Sequence, residues 1–525
     1  MVGEIRSAMQ LDMQKDREVT DRQTVTGEAF VMNDIDSGEQ PAAVPSTNGN
    51  CGIVRRPAAL LLMVTFLVAG CAAKPEPVAE PDPHASDPSD PQPESQVETP
   101  SQRPARRVTR LFWQDRSDDS LKWADLKRGD DWQLEPAVVE GFPKLDVAKQ
   151  DLVQMAIIDD TLLVGVRDEE DGQFQSGWVA VETGVVEIPH GDHSHWKYPA
   201  APKVSAKQLD KEQGNPAHLY VYGDAFWLAN DRLDGFTRFV IGSEEGQPLE
   251  SQFFQGGGNH ITLAAVDDIV GYSTWIDGGG PNAGRVDVVD LRSGQNEAPA
   301  YTFTLPSGIV HGATVNSGRV YFAPADGICR VDADLDLKES ADSVEVHHIS
   351  LGTDEETEKP LRTGAFANHR NWVLFSTGSA DSLALGLIDA RAPSEQVVKV
   401  PIDVADGLSL VTPKVVRTRG GKRYAFLFQD RKEGDIQEKL TIVDLDPNGD
   451  RDFADARVTT TLPVGASKVE GHFGHHGICF APNGKFAVVT NPGDGTLQVL
   501  SLEDLEFEAT LQVGGTPSAI GSTGG

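Results

Sequence analysis

Cysteine, methionine and positive charge are all scarce in this chain. Of 525 residues only 4 are Cys and 6 are Met, and 46 Lys and Arg stand against 80 Asp and Glu, a formal net charge of -34. So few thiols exclude a fold built on disulfides and a thiolate-rich metal cluster. The deficit of positive charge argues against nucleic acid as a partner, because such a surface repels phosphate backbones. Divalent cations are concentrated beside it instead. Sustained heptads and apolar stripes of helical period are also missing, while 52 Gly and 32 Pro punctuate the sequence. That pattern suits many short strands joined by turns.

Enzyme signatures are missing as well. The runs "GGGNH" and "DGGGPNAG" lack the Lys and the following helix of a phosphate-binding loop. No Ser sits in a Gly-x-Ser-x-Gly elbow. The expectation is a binding protein rather than an enzyme.

What is present starts with a processing signal. "VRRPAALLLMVTFLVAGCAAKPEP" places Arg55 and Arg56 before a short apolar run that ends in small residues and Cys71. The run is too short to span a bilayer comfortably and reads as a lipoprotein signal peptide over 54–70, with Cys71 the lipidated first residue of the mature chain. Residues 1–53 are polar and acidic, unlike a signal n-region, and read as a gene-model extension or as disordered. Residues 71–106, rich in Pro, Ser and acids, read as a disordered tether. Together these imply attachment to the membrane through the lipid on Cys71, in the periplasm or cell envelope. Of the remaining cysteines, Cys329 and Cys479 lie in the folded part, where they either pair or stay buried as free thiols.

From Arg107 onward the chain repeats four strands every 40 to 60 residues or so, the signature of propeller blades. "HGATVNSGRVYFAPADGICRVDADL" and "HGICFAPNGKFAVVTNPGDGTLQVLSL" are two examples. Inner strands are expected to begin near Leu152, His218, His260, His311, Arg362, Pro413 and His476. The C-terminal "GGTPSAIGS" reads as an inner strand without a blade, and "RVTRLFWQD" near the start as an outer strand without an inner one. Pairing the two ends closes the ring and removes an exposed edge. The fold class is therefore all-β, a β-propeller of eight four-stranded blades over 107–525, with seven as the alternative.

Thirteen histidines are present, and most fall where blades join. "IPHGDHSHWKYP" holds His190, His193 and His195, and is expected in a connection from one blade to the next. His218, His260, His311 and the group His472, His475 and His476 stand at the starts of inner strands, whose side chains converge on a shared axis. Neutral imidazole suits zinc, and Asp192 offers an oxygen ligand or a partner that fixes a histidine tautomer. Each isolated channel histidine also has a plainly structural reading as a hydrogen-bonded core residue. His347 and His348 are expected in an outer strand, His369 at a turn and His84 in the tether, none of them as ligands.

Through "HGDHSH", "HGATVNSGRVYFAPADGICRVD" and "GHHGICFAPNGKFAVVTNPGDGTLQVLSL", the chain resembles the periplasmic zinc metallochaperones of the AztD type, which are β-propellers. The resemblance implies zinc as the bound ion and the solute-binding protein of a zinc ABC importer as the recipient. It implies that His190, Asp192, His193 and His195 match the family's histidine-rich loop, with channel histidines completing its sites. The lipid signal and acidic tether depart from a freely soluble periplasmic carrier. The alternative reading is a structural or protein-binding propeller lipoprotein whose histidines are incidental.

Overall fold

Each strand of this chain is too short to bury its own apolar face, so burial has to come from neighbouring sheets. In the computed structural model, which describes residues 104–190, 193–242, 249–294, 297–379, 382–432, 435–470 and 473–525 and only the backbone of residue 193, eight small antiparallel sheets solve this by packing face to face in a ring. Blade 2 shows the pattern. Its strands are Gln150–Ile158, Thr161–Asp168, Ser176–Glu182 and Lys203–Asp210, ordered from the centre outwards.

The inner strands of blades 3 to 8 start at Pro216, Leu263, Ala313, Ala367, Lys414 and Ile478. They fall within about five residues of the expected positions. Blade 7 divides its inner edge between Leu408–Leu410 and Lys414–Arg417. Blade 1 is the composite one. The strand Pro517–Thr523 pairs antiparallel with Arg106–Asp115, in the register Arg110↔Thr523 and Trp113↔Ile520. Thr109 Oγ1 donates to the Thr523 carbonyl at 3.1 Å and Thr516 N donates to Asp115 Oδ1 at 2.9 Å, so the two ends of the domain are joined by hydrogen bonds.

The apolar core lies between blades. Phe112, Leu121, Leu152 and Leu162 join blades 1 and 2, and Ala156, Leu163 and Phe226 join blades 2 and 3. The series continues around the ring until Trp113 and Leu111 meet Val488 and Leu497 across blades 1 and 8. Each interface buries aliphatic and aromatic side chains worth about 1.5–3 kcal/mol apiece. Cys329, in the third strand of blade 5, and Cys479, in the inner strand of blade 8, sit in different interfaces as buried free thiols.

Strand alternation gives the ring two distinct faces. Inner strands begin on one, here the entry face, and end on the other, the exit face. Connections from blade to blade lie on the entry face, and the turn between inner and second strands lies on the exit face, as does the link from third to fourth strand. No helix among the described residues is long and apolar enough to cross a membrane. Cys71, the signal segment 54–70, residues 1–53 and His84 lie outside the described residues, as does the tether but for its last three positions.

Candidate metal centre

Three successive blades each deliver one imidazole to the same point on the entry face. His218 is the third residue of the inner strand Pro216–Tyr222, while His260 and His311 occupy the connections just before Leu263–Val266 and Ala313–Asn316. One ligand atom from each lies within 4.8 Å of the others. His218 Nε2 and His260 Nε2 are 2.8 Å apart, and the ring centroids of His260 and His311 are 5.2 Å apart. His218 is buried at 6% exposure, whereas His260 and His311 are partly exposed. The cluster therefore opens outwards from a buried base.

Partners behind the rings set their chemistry. His260 Nδ1 donates to Asp231 Oδ2 at 3.1 Å, and the other oxygen of Asp231 accepts the Ile261 N–H at 3.0 Å. His311 Nδ1 faces the Gly364 carbonyl at 3.3 Å. With the proton held on Nδ1, the His260 ring turns its Nε2 to His218, and His311 carries its lone pair on Nε2, the tautomer that a metal-ligating histidine requires. Gly312 makes the second contact possible, since a Cβ there would stand 2.7 Å from the Gly364 carbonyl oxygen.

The donor set fits zinc. Zinc binds imidazole nitrogen at about 2.0–2.1 Å in a tetrahedron, which sets two ligating nitrogens roughly 3.3 Å apart. The 2.8 Å separation of His218 and His260 is that of an N–H···N hydrogen bond. For this pair a cation needs a few tenths of an ångström of opening and a transfer of the His218 proton from Nε2 to Nδ1. Among the described residues no fourth His, Cys, Asp or Glu joins this group.

A second polar cluster, Asp430, Glu438 and His476, is close enough to hold an ion but is already saturated. His476 Nδ1 donates to Asp430 Oδ1 at 2.7 Å and His476 Nε2 to the Gly465 carbonyl at 3.0 Å, so no ring lone pair remains. Both partners are acceptors, which makes His476 an imidazolium. Burial opposes that charge, but the Asp430 carboxylate outweighs it and holds the His476 pKa above the ordinary value. Burial likewise opposes the charge on Asp430, and its two histidine partners hold its pKa well below the carboxylate range. His475 Nδ1 takes the other Asp430 oxygen at 2.8 Å. Glu438 accepts from Arg431 N, Ser467 N and Ser467 Oγ. This network fastens blade 8 to blade 7.

The histidine-rich stretch from Ile188 to Pro199 lies elsewhere than its sequence suggests. Val186–His190 and His193–Lys197 form a hairpin between the third and fourth strands of blade 2, not between blades. It therefore stands on the exit face, opposite the His218 cluster. The reason is the fourth strand, Lys203–Asp210, whose exposed or half-exposed side chains carry little apolar pattern. His190 and His195 are exposed, their ring centroids 5.6 Å apart. Arg107 stacks on Tyr198 at 4.0 Å and holds the hairpin's exit against blade 1. Asp192, His472 and the side chain of His193 lie outside what the structure describes. Asp231 is the site residue that sequence reasoning missed. Its signal was positional, since Asp231 and Asp430 both stand at the end of a second strand and both catch a histidine entering the next blade.

No protein-family model matches the sequence, and a search of curated proteins finds no relative. Solved structures do match in fold. The crystal structure of Citrobacter koseri AztD aligns with a TM-score of 0.54 at 16% identity, over 80% of this chain and 99% of that one. Apo AztD from the same organism aligns with a TM-score of 0.52 at 16% identity, with the same coverage. The resemblance carried by the sequence motifs and the likeness of fold thus meet on one protein: this chain is an eight-bladed β-propeller similar in architecture to AztD.

Proposed function

We propose that this chain is an extracytoplasmic zinc-binding propeller that takes up zinc at His218, His260 and His311 and releases it to another protein, without catalytic turnover. The observation that carries this reading is the convergence of three imidazoles, two with their tautomers set by a carboxylate or a carbonyl, around a partly open position. A three-histidine set with a vacant fourth place binds zinc while leaving room for a ligand from a recipient. The recipient we propose is the solute-binding protein of a zinc ABC importer, in keeping with the likeness to AztD. Lipid on Cys71 and the tether 71–106 would keep the propeller at the membrane of the periplasm or cell envelope. His190, Asp192, His193 and His195 are proposed as a separate zinc-contacting element.

The test is zinc stoichiometry after chelator treatment and reloading. Replacing His218, His260 and His311 together with Ala removes the tightly held zinc, whereas replacing His190, His193 and His195 leaves it in place. Retention of that zinc by the first variant would sink the proposal. Transfer is read separately, as movement of zinc to the purified solute-binding protein faster than its release to solvent.

A further inference from the structure

A chain with so large an excess of acid gathers five arginines, four of them without an ion pair among the described residues, on the exit face of blades 6 and 7. Arg370 lies in the turn between the inner and second strands of blade 6, and Arg391 follows that blade's third strand. Arg417 and Arg423 bracket the corresponding turn of blade 7, and Arg451 follows its third strand. Packing brings the two blades' loops together. Phe453 stacks on His369 with centroids 6.0 Å apart and on Trp372 at 5.2 Å, and the Arg370 carbonyl is held by Asn316 Nδ2 at 3.1 Å.

The carboxylates nearby are already committed. Asp446 gives one oxygen to Arg423 Nη1 at 2.7 Å and the other to Arg451 N at 3.0 Å. Asp450 and Asp452, on either side of Arg451, are folded back onto the N–H groups of their own loop. Asp389 accepts from Asn371 Nδ2 and Arg391 N. Arg370, Arg391, Arg417 and Arg451 are exposed and make no side-chain ion pair or hydrogen bond with a described residue. In the same two blades, two buried nitrogens lack any hydrogen-bond partner: Nε of Arg423, a residue only 9% exposed, and Nε2 of His369.

Backbone geometry adds a second sign. Arg370 and Arg451 adopt left-handed conformations, with φ of 59° and 74°, where glycine would fit without strain. Burial first, and then Arg423, Arg370 and Arg417, push the His369 pKa down to about 4. The ring is therefore neutral at ordinary pH, buried and facing three cations.

We propose that this arginine cluster at the junction of blades 6 and 7 is a binding site for a phosphate-class oxyanion, held in the fork of Arg370 and Arg451 above the unpartnered Arg423 Nε and His369 Nε2. Planar guanidinium groups match such an anion in charge and geometry. The ligand comes either free in solution or on a lipid headgroup, and the two sources are separable.

The experiment uses the purified protein in 150 mM NaCl or so, where loose surface attraction is largely screened. Inorganic phosphate is titrated calorimetrically and the His369 ring is followed by NMR. Saturable binding of one phosphate is expected, with the His369 titration moving upwards by about one pH unit. In Arg370→Gly/Arg451→Gly, which keeps the left-handed turns unstrained, affinity falls about tenfold or more while zinc binding and melting temperature hold. Vesicles of phosphatidylglycerol against phosphatidylcholine form the second arm. Binding only to the former, lost in the same variant, assigns the site to a lipid phosphate. Absence of binding in both arms, or binding undiminished in the variant, overturns the proposal.

Discussion

Asp231 should set zinc affinity without touching zinc. Its carboxylate is 7% exposed and receives two N–H groups, His260 Nδ1–H at 3.1 Å and Ile261 N–H at 3.0 Å. Asp231→Asn keeps the shape but leaves one acceptor for two donors. The backbone N–H cannot change, whereas the imidazole can. The new side-chain NH₂ then faces Nδ1 of His260, which turns acceptor and moves its proton to Nε2, the atom that must carry a lone pair for the metal. Loss of such a partner behind a ligating histidine weakens binding about 10- to 100-fold, or roughly 1.4–2.7 kcal/mol. Competition against a chromogenic zinc chelator at fixed pH measures it, and ¹⁵N NMR of the His260 ring reports the tautomer directly. An Asp231→Asn variant that binds zinc within about twofold of the native protein, with the ring unchanged, would refute the reasoning.

Two further outcomes concern stability and reactivity. Asp430→Asn leaves the buried His476 cation unpaired, at a cost of about 3–5 kcal/mol. His476, raised above 6.5, contributes fully below that pH and less as pH rises through its folded value. Asp430, lowered from 3.8, contributes above that pH and loses its share as pH falls through its folded value. Urea melts of native and variant protein should therefore differ most between about pH 4 and 6.5, with the difference narrowing as pH rises through the folded value of His476 and as it falls through that of Asp430. A difference that stays the same below about pH 4, within this window and well above pH 6.5 would contradict the pairing. Burial pushes both Cys329 and Cys479 up to about 12, so neither thiol reacts with a disulfide reagent at pH 8 until the ring unfolds, and fast labelling of the native protein would count against this packing.

The blade count was legible because each inner strand opens on a turn residue and runs through a short apolar stretch, as "HGAT" and "HGICF" do. Ring closure was legible because "GGTPSAIGS" had no outer strands of its own. The hairpin's position was not. Lys203–Asp210 alternates without large apolar residues, so "VVEIP" took its place as the outer strand and moved the histidines to the wrong face. His476 looked equivalent to His311, each being followed by Gly. What separates them is an acid about 45 residues away in sequence, and no local pattern reports that. The same holds for the arginines, which look unremarkable one by one and become a cluster only when blades 6 and 7 are side by side.

The pairing of Pro517–Thr523 with Arg106–Asp115 has a consequence for biosynthesis. Its hydrogen bonds join residues 401 and 414 positions apart, so the ring cannot be completed until the strand Pro517–Thr523 has emerged from the ribosome. Bringing two such distant ends together from a free coil would cost roughly 5 kcal/mol in chain entropy. Blades 2 to 8 can each form as they emerge and carry the termini towards one another, spreading that cost over synthesis. Until the final strand docks, Arg106–Asp115 waits as an unpaired edge, the form of β-structure most open to joining a neighbouring chain. The strand Pro517–Thr523 is thus what separates a closed ring from an aggregation-prone intermediate.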